Sequence, residues 1–429
     1  MALFTYRLIL LLLLPLVLLL ALLRSINHPA YRKRLGERLG FIPRHFKPKG
    51  IVIHAASVGE VLALKPFIEQ CLVDFAQYSI TVTTFTPTGS AQVQKLFGDK
   101  VQHCYIPLDI WPCSYLFLRR LQPKALVMME TELWPNLIDQ ATRAQTKLLL
   151  VNGRISNKSL PRYQKLSALI SPCLKQFDQV LAQSEDNAER LVKLGASPTS
   201  CSSAGNLKYD LTLGRDIKSK QKHLAELLPN NRPIWLLASS HSGDEELILS
   251  SYQTIKSKLP NCLLIIVPRH PERFDNVAKI ISQHQFSCQR RSTNEKVSEE
   301  TQVWLMDSLG ELMAVLGLTD VVTMGGTFSN IGGHNPLEPA LFKKPVIVGN
   351  DMSNFTEVYQ QLKSIGGIVT LPKYSDSNSL KQALAEKVTT LIQNPESAQT
   401  LGENAYKVVL QNQGATQRCI NVLTQLLNR

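Results

Sequence analysis

From Lys49 onward the chain alternates short, continuous apolar runs with longer stretches whose apolar positions recur at helical spacing. GIVIHA, SITVTTF, VQHCYIP, ALVMME, KLLLVNG and QVLAQS are the short runs of the first half, separated by segments such as EVLALKPFIEQCLVDF. Strands apolar on both faces, alternating with helices, predict a parallel sheet covered on both sides. The rhythm breaks over residues 206–232, where KYDLTLGRDIKSKQKH is polar and weakly periodic. It resumes with IWLLAS, CLLIIVP, FSCQR, VWLMD, DVVTMGG and PVIVG. The pattern predicts an α/β chain of two Rossmann-like domains facing a cleft, 50–205 and 233–429, joined by a linker over 206–232. Helical patterns run from about Ser379 to Leu427, and the last helix is a candidate to pack back on the first domain.

Ahead of this alternation, Leu8 to Leu23 is an unbroken apolar run, almost all leucine and without a polar face. A spanning helix needs about 20 apolar residues. Ala2 to Tyr6 extend the run, with Arg7 expected to snorkel toward the interface. The run ends Ala-Leu-Leu-Arg, a poor cleavage site for a signal peptide. Arg24, Arg32, Lys33, Arg34, Arg38 and Arg44 follow it, against Arg7 alone before it. That bias places the rest of the chain in the cytoplasm. Residues 1–24 are therefore expected to form a membrane anchor, and the basic segment 25–49 to lie on anionic headgroups. The net charge of +13 fits a negatively charged partner. With no RNP-like run and no zinc-finger spacing, nucleic acid is not the expected one. Eight cysteines without a C-x-x-C predict buried free thiols, not a disulfide framework or a zinc site.

In open parallel sheets ligands gather at the carboxyl ends of strands. The unusual residue clusters fall there: HAASVGE, TPTGS, ETELWPN and NGRIS in the first half, SSHSGDEE, PRHPERF and GGTFSNIGGHNPLEPA in the second. HAASVGE has two readings. Ser57 and Glu60 form an S-x-x-E capping box, or Glu60 is a base in an open loop of small neighbours. Glu130 and Glu132 end an apolar strand, and Lys208 is the nearest plausible cation; structural ion pairing is the alternative. In GGTFSNIGGHNPLEP four glycines let backbone approach a ligand, and a helix starting near Asn335 aims amides at an anion. There Asn335 reads as N-cap, Pro336 as N1 and Glu338 as N3, the last able to accept from ribose hydroxyls. The segment lacks a Walker A ending, so triphosphate hydrolysis is not indicated. Arg269, His270 and Arg273 in PRHPERF are candidate phosphate ligands, and Ser308 to Glu311 reads as another capped helix start.

HAASVGE, TPTG, METELWPN, NGRIS, GNLKYD, PRHPERF and GGHNPLEPA, in that order across both halves, resemble the 3-deoxy-D-manno-octulosonic acid (Kdo) transferases of lipopolysaccharide assembly in Gram-negative bacteria. The resemblance covers nearly the whole chain. It implies a GT-B fold, with the acceptor in the N-terminal domain and the nucleotide in the C-terminal one. It implies transfer of Kdo from CMP-Kdo to a lipid A precursor, a bisphosphorylated acylated disaccharide, at the cytoplasmic side of the bacterial inner membrane. By motif match, Glu60 is the catalytic base, and Glu130 and Lys208 stabilise the transition state. Pro268, Arg269, Leu309, Gly310, Glu311, Asn335, Pro336, Leu337 and Glu338 match the positions that bind CMP. The family implies neither a metal nor another cofactor.

This assignment suits the residue types. An acceptor hydroxyl needs a base to take its proton as the bond forms. Departing CMP gathers negative charge that Arg269 and the helix starting at Asn335 are expected to meet. One base and a direct displacement predict inversion at the anomeric carbon. Two rivals stay open on sequence alone: a glycosyltransferase that uses a UDP-sugar, and a membrane-anchored binding protein for anionic lipids.

Overall fold

The computed structural model describes residues 1–27 (side chains through residue 15), 34–210, 216–229, 231–374 and 376–428. The chain forms two compact units, Met1–Asp210 with Asn412–Arg429, and Leu211–Gln411. In the first, seven parallel strands form one sheet: β1 (Ile51–His54), β2 (Ile80–Thr84), β3 (Gln102–Tyr105), β4 (Ala125–Met129), β5 (Lys147–Gly153), β6 (Gln179–Ala182) and β7 (Cys201–Ser203). Their spatial order is β3-β2-β1-β4-β5-β6-β7. The second unit repeats the plan with β8 (Ile234–Ser240), β9 (Leu263–Pro268), β10 (Cys288–Arg290), β11 (Val303–Leu305), β12 (Val321–Met324), β13 (Val346–Val348) and β14 (Val369–Thr370), ordered β10-β11-β9-β8-β12-β13-β14.

Each short apolar run of the two halves is a strand. The central ones are buried along their whole length, because helices cover both faces of each sheet. The two strands that the sequence did not announce, β7 and β14, lie at sheet edges. They are two or three residues long, too short for a hydrophobic period to register.

The segment 206–232, expected as a linker, is divided. Leu207–Tyr209 forms a 3₁₀ turn of the first unit with Leu207 and Tyr209 buried. Ile217–Leu227 is a helix of the second unit, burying Leu224 and Leu227 and packing on the helix Leu312–Leu316. Its two core leucines, spaced by three, are too few to outweigh a lysine-rich surface in the sequence. The final helix, Ala415–Leu427, belongs to the first unit. Asp210 accepts the N–H groups of Gly414, at 2.6 Å, and of Thr416. Ala415, Cys419, Ile420, Leu423 and Leu426 join the core beneath the helix Val58–Asp74. Most of the eight cysteines are buried free thiols, Cys288 being exposed.

The N-terminal helix spans Ala2–Asn27. The anchor expected over 1–24 lies partly outside the described side chains, and Arg32 and Lys33 lie outside the described residues. Among the described residues no helix is long and apolar enough to cross a membrane. Arg7 does not snorkel. Its guanidinium donates to Asp139 at 2.6 Å and to Asn136 at 2.8 Å, while the Tyr6 hydroxyl donates to Asp109 at 2.9 Å. The first turns of the helix are thereby latched to the domain, leaving Phe4, Leu8, Ile9, Leu11, Leu12 and Leu13 exposed. Two arginines of the basic segment bond within the domain, Arg34 at its surface and Arg38 buried. Arg34 pairs with Glu37 at 2.7 Å and donates to the His103 carbonyl at 2.7 Å. Arg38 donates to the Phe85 carbonyl at 2.7 Å, with its guanidinium 4.3 Å from the Tyr105 ring centre.

Candidate functional site

In each sheet the chain runs outward from one central strand, then returns to its other side. The reversal lies between β1 and β4 in the first unit and between β8 and β12 in the second. Such switch points leave a crevice beyond the carboxyl ends of the strands. HAASVGE and ETELWPN leave β1 and β4; SSHSGDEE and GGTFSNIGGHNPLEPA leave β8 and β12.

Ser57 is the extended N-cap of the helix Val58–Asp74. Its hydroxyl accepts the Glu60 N–H at 3.5 Å and donates to Glu60 Oε1 at 2.8 Å, and the Ala56 N–H donates to Oε2 at 2.8 Å. The capping box therefore forms, and it fixes the Glu60 carboxylate over the end of β1. Burial raises the Glu60 carboxyl above the usual carboxylate range. The bonds from Ala56 and Ser57 pull it back, while the charges of Glu132 and Glu130 push it further up.

Glu130 follows β4 with φ +54°, a left-handed backbone that costs a side-chain-bearing residue about 1–2 kcal/mol. Its N–H bonds the Val151 carbonyl at 3.0 Å. Lys208 Nζ lies 3.5 Å from Glu130 Oε1. Two asparagines place that lysine. Asn206 accepts the Lys208 N–H at 3.0 Å, and Asn152 of NGRIS accepts the Leu207 N–H at 2.9 Å. The motifs NGRIS and GNLKYD, some fifty residues apart, thus act as one support.

Sequence reasoning gave no role to His54. The structure places it, fully buried, 3.6 Å from Glu132, whose other neighbour is the Trp134 indole N–H at 2.7 Å. Burial pushes the Glu132 carboxyl up, but His54 and Trp134 outweigh it and hold the group below its ordinary range. Glu60 and Glu132 are thus driven in opposite directions, a pattern that separates a proton acceptor from a fixed anion.

In the second unit several expectations are corrected. The four glycine amides of GGTFSNIGG are taken up within the fold. The N–H of Gly325 donates to the Ala238 carbonyl at 2.8 Å, that of Gly326 to Asp244 at 2.7 Å, that of Gly332 to Asp351 at 2.8 Å, and that of Gly333 to the Gly326 carbonyl at 3.0 Å. Glycine is needed for packing inside the fold: a Cβ on Gly325 would lie 2.3 Å from the Ser239 carbonyl. The helix expected from Asn335 is a single short turn, Leu337–Leu341. Asn335 caps it, accepting the Leu337 N–H at 3.1 Å, and the Glu338 N–H returns to the Asn335 carbonyl at 3.4 Å. So short a helix has little macrodipole. Arg273 is not a free fork either. It forms a bidentate pair with the buried Glu245 at 2.8 and 3.0 Å. Glu311 is held by Arg291 at 2.9 Å and by the Ser308 hydroxyl, leaving Leu309 exposed beside Gly310.

Arg269 remains, following Pro268 at the end of β9 with an exposed side chain. Near it lies a histidine pair that the sequence reading did not single out. His241 and His334 stack at 5.0 Å with Nε2 atoms 2.8 Å apart, and His270 packs edge-on against His241 at 5.3 Å. Burial, then the charge of Arg269, lowers His334 to about 4, and burial, then the charges of His270, Arg273 and Arg269, lowers His241 from its ordinary value. Burial lifts the Glu338 carboxyl to about 7, with Arg269 opposing. The available signal was position: both histidines stand in loops that leave the two switch-point strands.

Residues 33–211 match the family model of 3-deoxy-D-manno-octulosonic-acid transferase (kdotransferase), and residues 238–408 match glycosyl transferases group 1. A 3-deoxy-D-manno-octulosonic acid transferase of Haemophilus influenzae is 42% identical over 99% of both chains. Its namesake in Rickettsia felis is 30% identical over 88% of this chain and 79% of its own length. The structure of UDP-GlcNAc 2-epimerase from Neisseria meningitidis superposes with a TM-score of 0.58 at 16% identity, over 88% of this chain and 100% of that one. This last likeness bears on fold alone, and it is a GT-B-like one. The chain belongs to the 3-deoxy-D-manno-octulosonic acid transferase family and is a Kdo glycosyltransferase.

Proposed function

We propose that this enzyme moves Kdo from CMP-Kdo to the bisphosphorylated lipid A precursor, with inversion, at the cytoplasmic face of the inner membrane. Glu60 takes the proton of the acceptor hydroxyl as oxygen attacks the anomeric carbon and the bond to the CMP phosphate breaks. Glu130, held by Lys208, meets the positive charge that develops on the sugar. Arg269 meets the charge on the departing phosphate, and an imidazole N–H of the His241–His334 pair supplies the donor expected of the helix start. Glu338 and Asn335 face the ribose, and Pro268 and Leu309–Gly310 line the nucleotide site, with Glu311 holding that loop. The observation that carries this reading is Glu60, a carboxylate oriented by two hydrogen bonds, its pKa raised by burial and by the charges of Glu132 and Glu130. Membrane contact is supported by the exposed apolar face from Phe4 to Leu13 on the latched helix.

The test is transfer of labelled Kdo from CMP-Kdo to the acylated disaccharide bisphosphate in detergent, with nucleotide competition. A slower-migrating product, with inhibition by CMP and not by UMP, is the expected result. Binding of UMP without Kdo transfer would move the enzyme to a UDP-sugar. The two arginines of PRHPERF give a second expectation. Arg269→Ala weakens CMP binding about tenfold to a hundredfold by calorimetry at unchanged melting temperature. Arg273→Ala strands a buried Glu245 carboxylate and costs about 3–5 kcal/mol of stability by denaturant unfolding.

A further inference from the structure

Beside the carboxylates of the first unit lies an apolar cavity of about 240 Å³, lined by Tyr6, Leu10, Phe85, Leu108, Asp109, Ile110, Leu133 and Trp134. We infer that this cavity holds an acyl chain of the lipid acceptor, with the N-terminal helix as one of its walls. The inference rests on the acceptor proposed above.

Three observations lead to it. The single charged group of the lining, Asp109, is fully engaged: it accepts the Tyr6 hydroxyl at 2.9 Å and the N–H groups of Asn136 at 3.0 Å and Leu137 at 2.8 Å. What the cavity offers an occupant is therefore hydrocarbon and ring faces. Next, it shares its inner residues with the reaction site. Trp134 donates to Glu132 and packs on His54 and Phe85 at 6.0 and 5.7 Å. The Phe85 N–H bonds the carbonyl of Ala56, the residue whose own N–H holds Glu60. A molecule with its sugar at Glu60 thus has an apolar recess at hand for what hangs from the sugar. Finally, the wall contributed by Tyr6 and Leu10 continues outward into the exposed Leu8, Ile9, Leu11, Leu12 and Leu13, so a chain leaving the recess meets apolar surface. The Tyr6 and Arg7 bonds to Asp109, Asn136 and Asp139 then have a purpose. They fix the wall against the helix Pro135–Arg143, whose entry loop carries Glu130 and Glu132.

The experiment compares KM for the acylated acceptor with KM for the same disaccharide bisphosphate stripped of its acyl chains. It uses the full-length wild type, Leu108→Trp, which fills the recess from the domain side, and Leu10→Trp, which fills it from the helix side. Each buried methylene is worth about fourfold in affinity. Wild type is expected to favour the acylated acceptor by tenfold or more, and either variant to cut that ratio at least tenfold. Unchanged ratios in both variants would overturn the inference. So would an unchanged ratio with weaker sedimentation on phosphatidylglycerol vesicles, which would make a bilayer lipid the occupant. Loss of activity on both acceptors in one variant leaves the decision to the other. If wild type transfers Kdo to neither acceptor, the acceptor assignment itself falls, and the inference with it.

Discussion

Glu60→Gln lowers kcat for Kdo transfer about a thousandfold or more while CMP binding and melting temperature stay at wild-type values. A positioned general base contributes about 10²–10⁴-fold. The amide is an informative replacement because it keeps the shape of the capping box. Its carbonyl still accepts the Ala56 N–H that now binds Oε2 at 2.8 Å, and it stays within reach of Ser57. Glu60→Ala removes both roles, so it loses the same activity and in addition about 1 kcal/mol of stability, as cap deletions do. Ser57→Ala loses the cap and one of the two bonds that orient the carboxylate but keeps the carboxylate itself, so it retains more activity than Glu60→Gln. Transfer assays beside thermal melts of the three variants separate the roles: an active Glu60→Gln enzyme would reduce Glu60 to a helix cap.

The pH profile carries the same assignment. A base must be ionised to act, so kcat/KM falls as pH drops through the Glu60 pKa. Burial, aided by Glu132 and Glu130, has raised that value above the ordinary carboxylate range. The acidic limb is therefore expected above the pH at which an unperturbed glutamate titrates. Glu132→Gln removes one of the like charges that raise it and moves the limb toward lower pH. A limb that Glu132→Gln leaves in place would separate Glu132 electrostatically from the base.

How far the sequence carried this reading varies by element. The central strands were legible because a strand buried on both faces needs an uninterrupted apolar run, as in ALVMM of β4 and LLIIVP of β9. The capping box at Ser57 was legible because its spacing is local. What failed to show depends on partners distant in sequence. PRHPERF displays two arginines with equal claims on a phosphate, and Glu245, 28 residues before Arg273, decides that Arg273 is structural. The glycines of GGTFSNIGG suggested a ligand loop because a sequence does not say which acceptors take their amides; Asp244 and Asp351 do. His241 and His334 become a pair only through the adjacency of β8 and β12. Arg7 looked like a residue for the bilayer interface until Asp139 and Asn136 stood opposite it.

Glu130→Gly is expected to leave stability close to wild type while cutting kcat about a hundredfold to a thousandfold. At φ +54° the glutamate sits where only glycine is unstrained, and relief of that strain is worth about 1–2 kcal/mol. Against this stand the greater backbone entropy of glycine in the unfolded chain and a partly exposed ion pair with Lys208 worth about 0–1 kcal/mol. These terms nearly cancel, so a merely structural glutamate at this position has no stability rationale. The proposed function gives the carboxylate a catalytic one: a group aimed at charge that develops in the transition state is worth about 10²–10³ in kcat. Lys208→Ala is expected to match the kinetic loss, since the ammonium 3.5 Å away orients that carboxylate. The double variant should then be no slower than either single one, because residues that act as a unit do not add. Kinetics and melts of the three variants decide the point. Multiplicative losses would make Glu130 and Lys208 independent contributors, and full activity in Glu130→Gly would leave the strained backbone without a function.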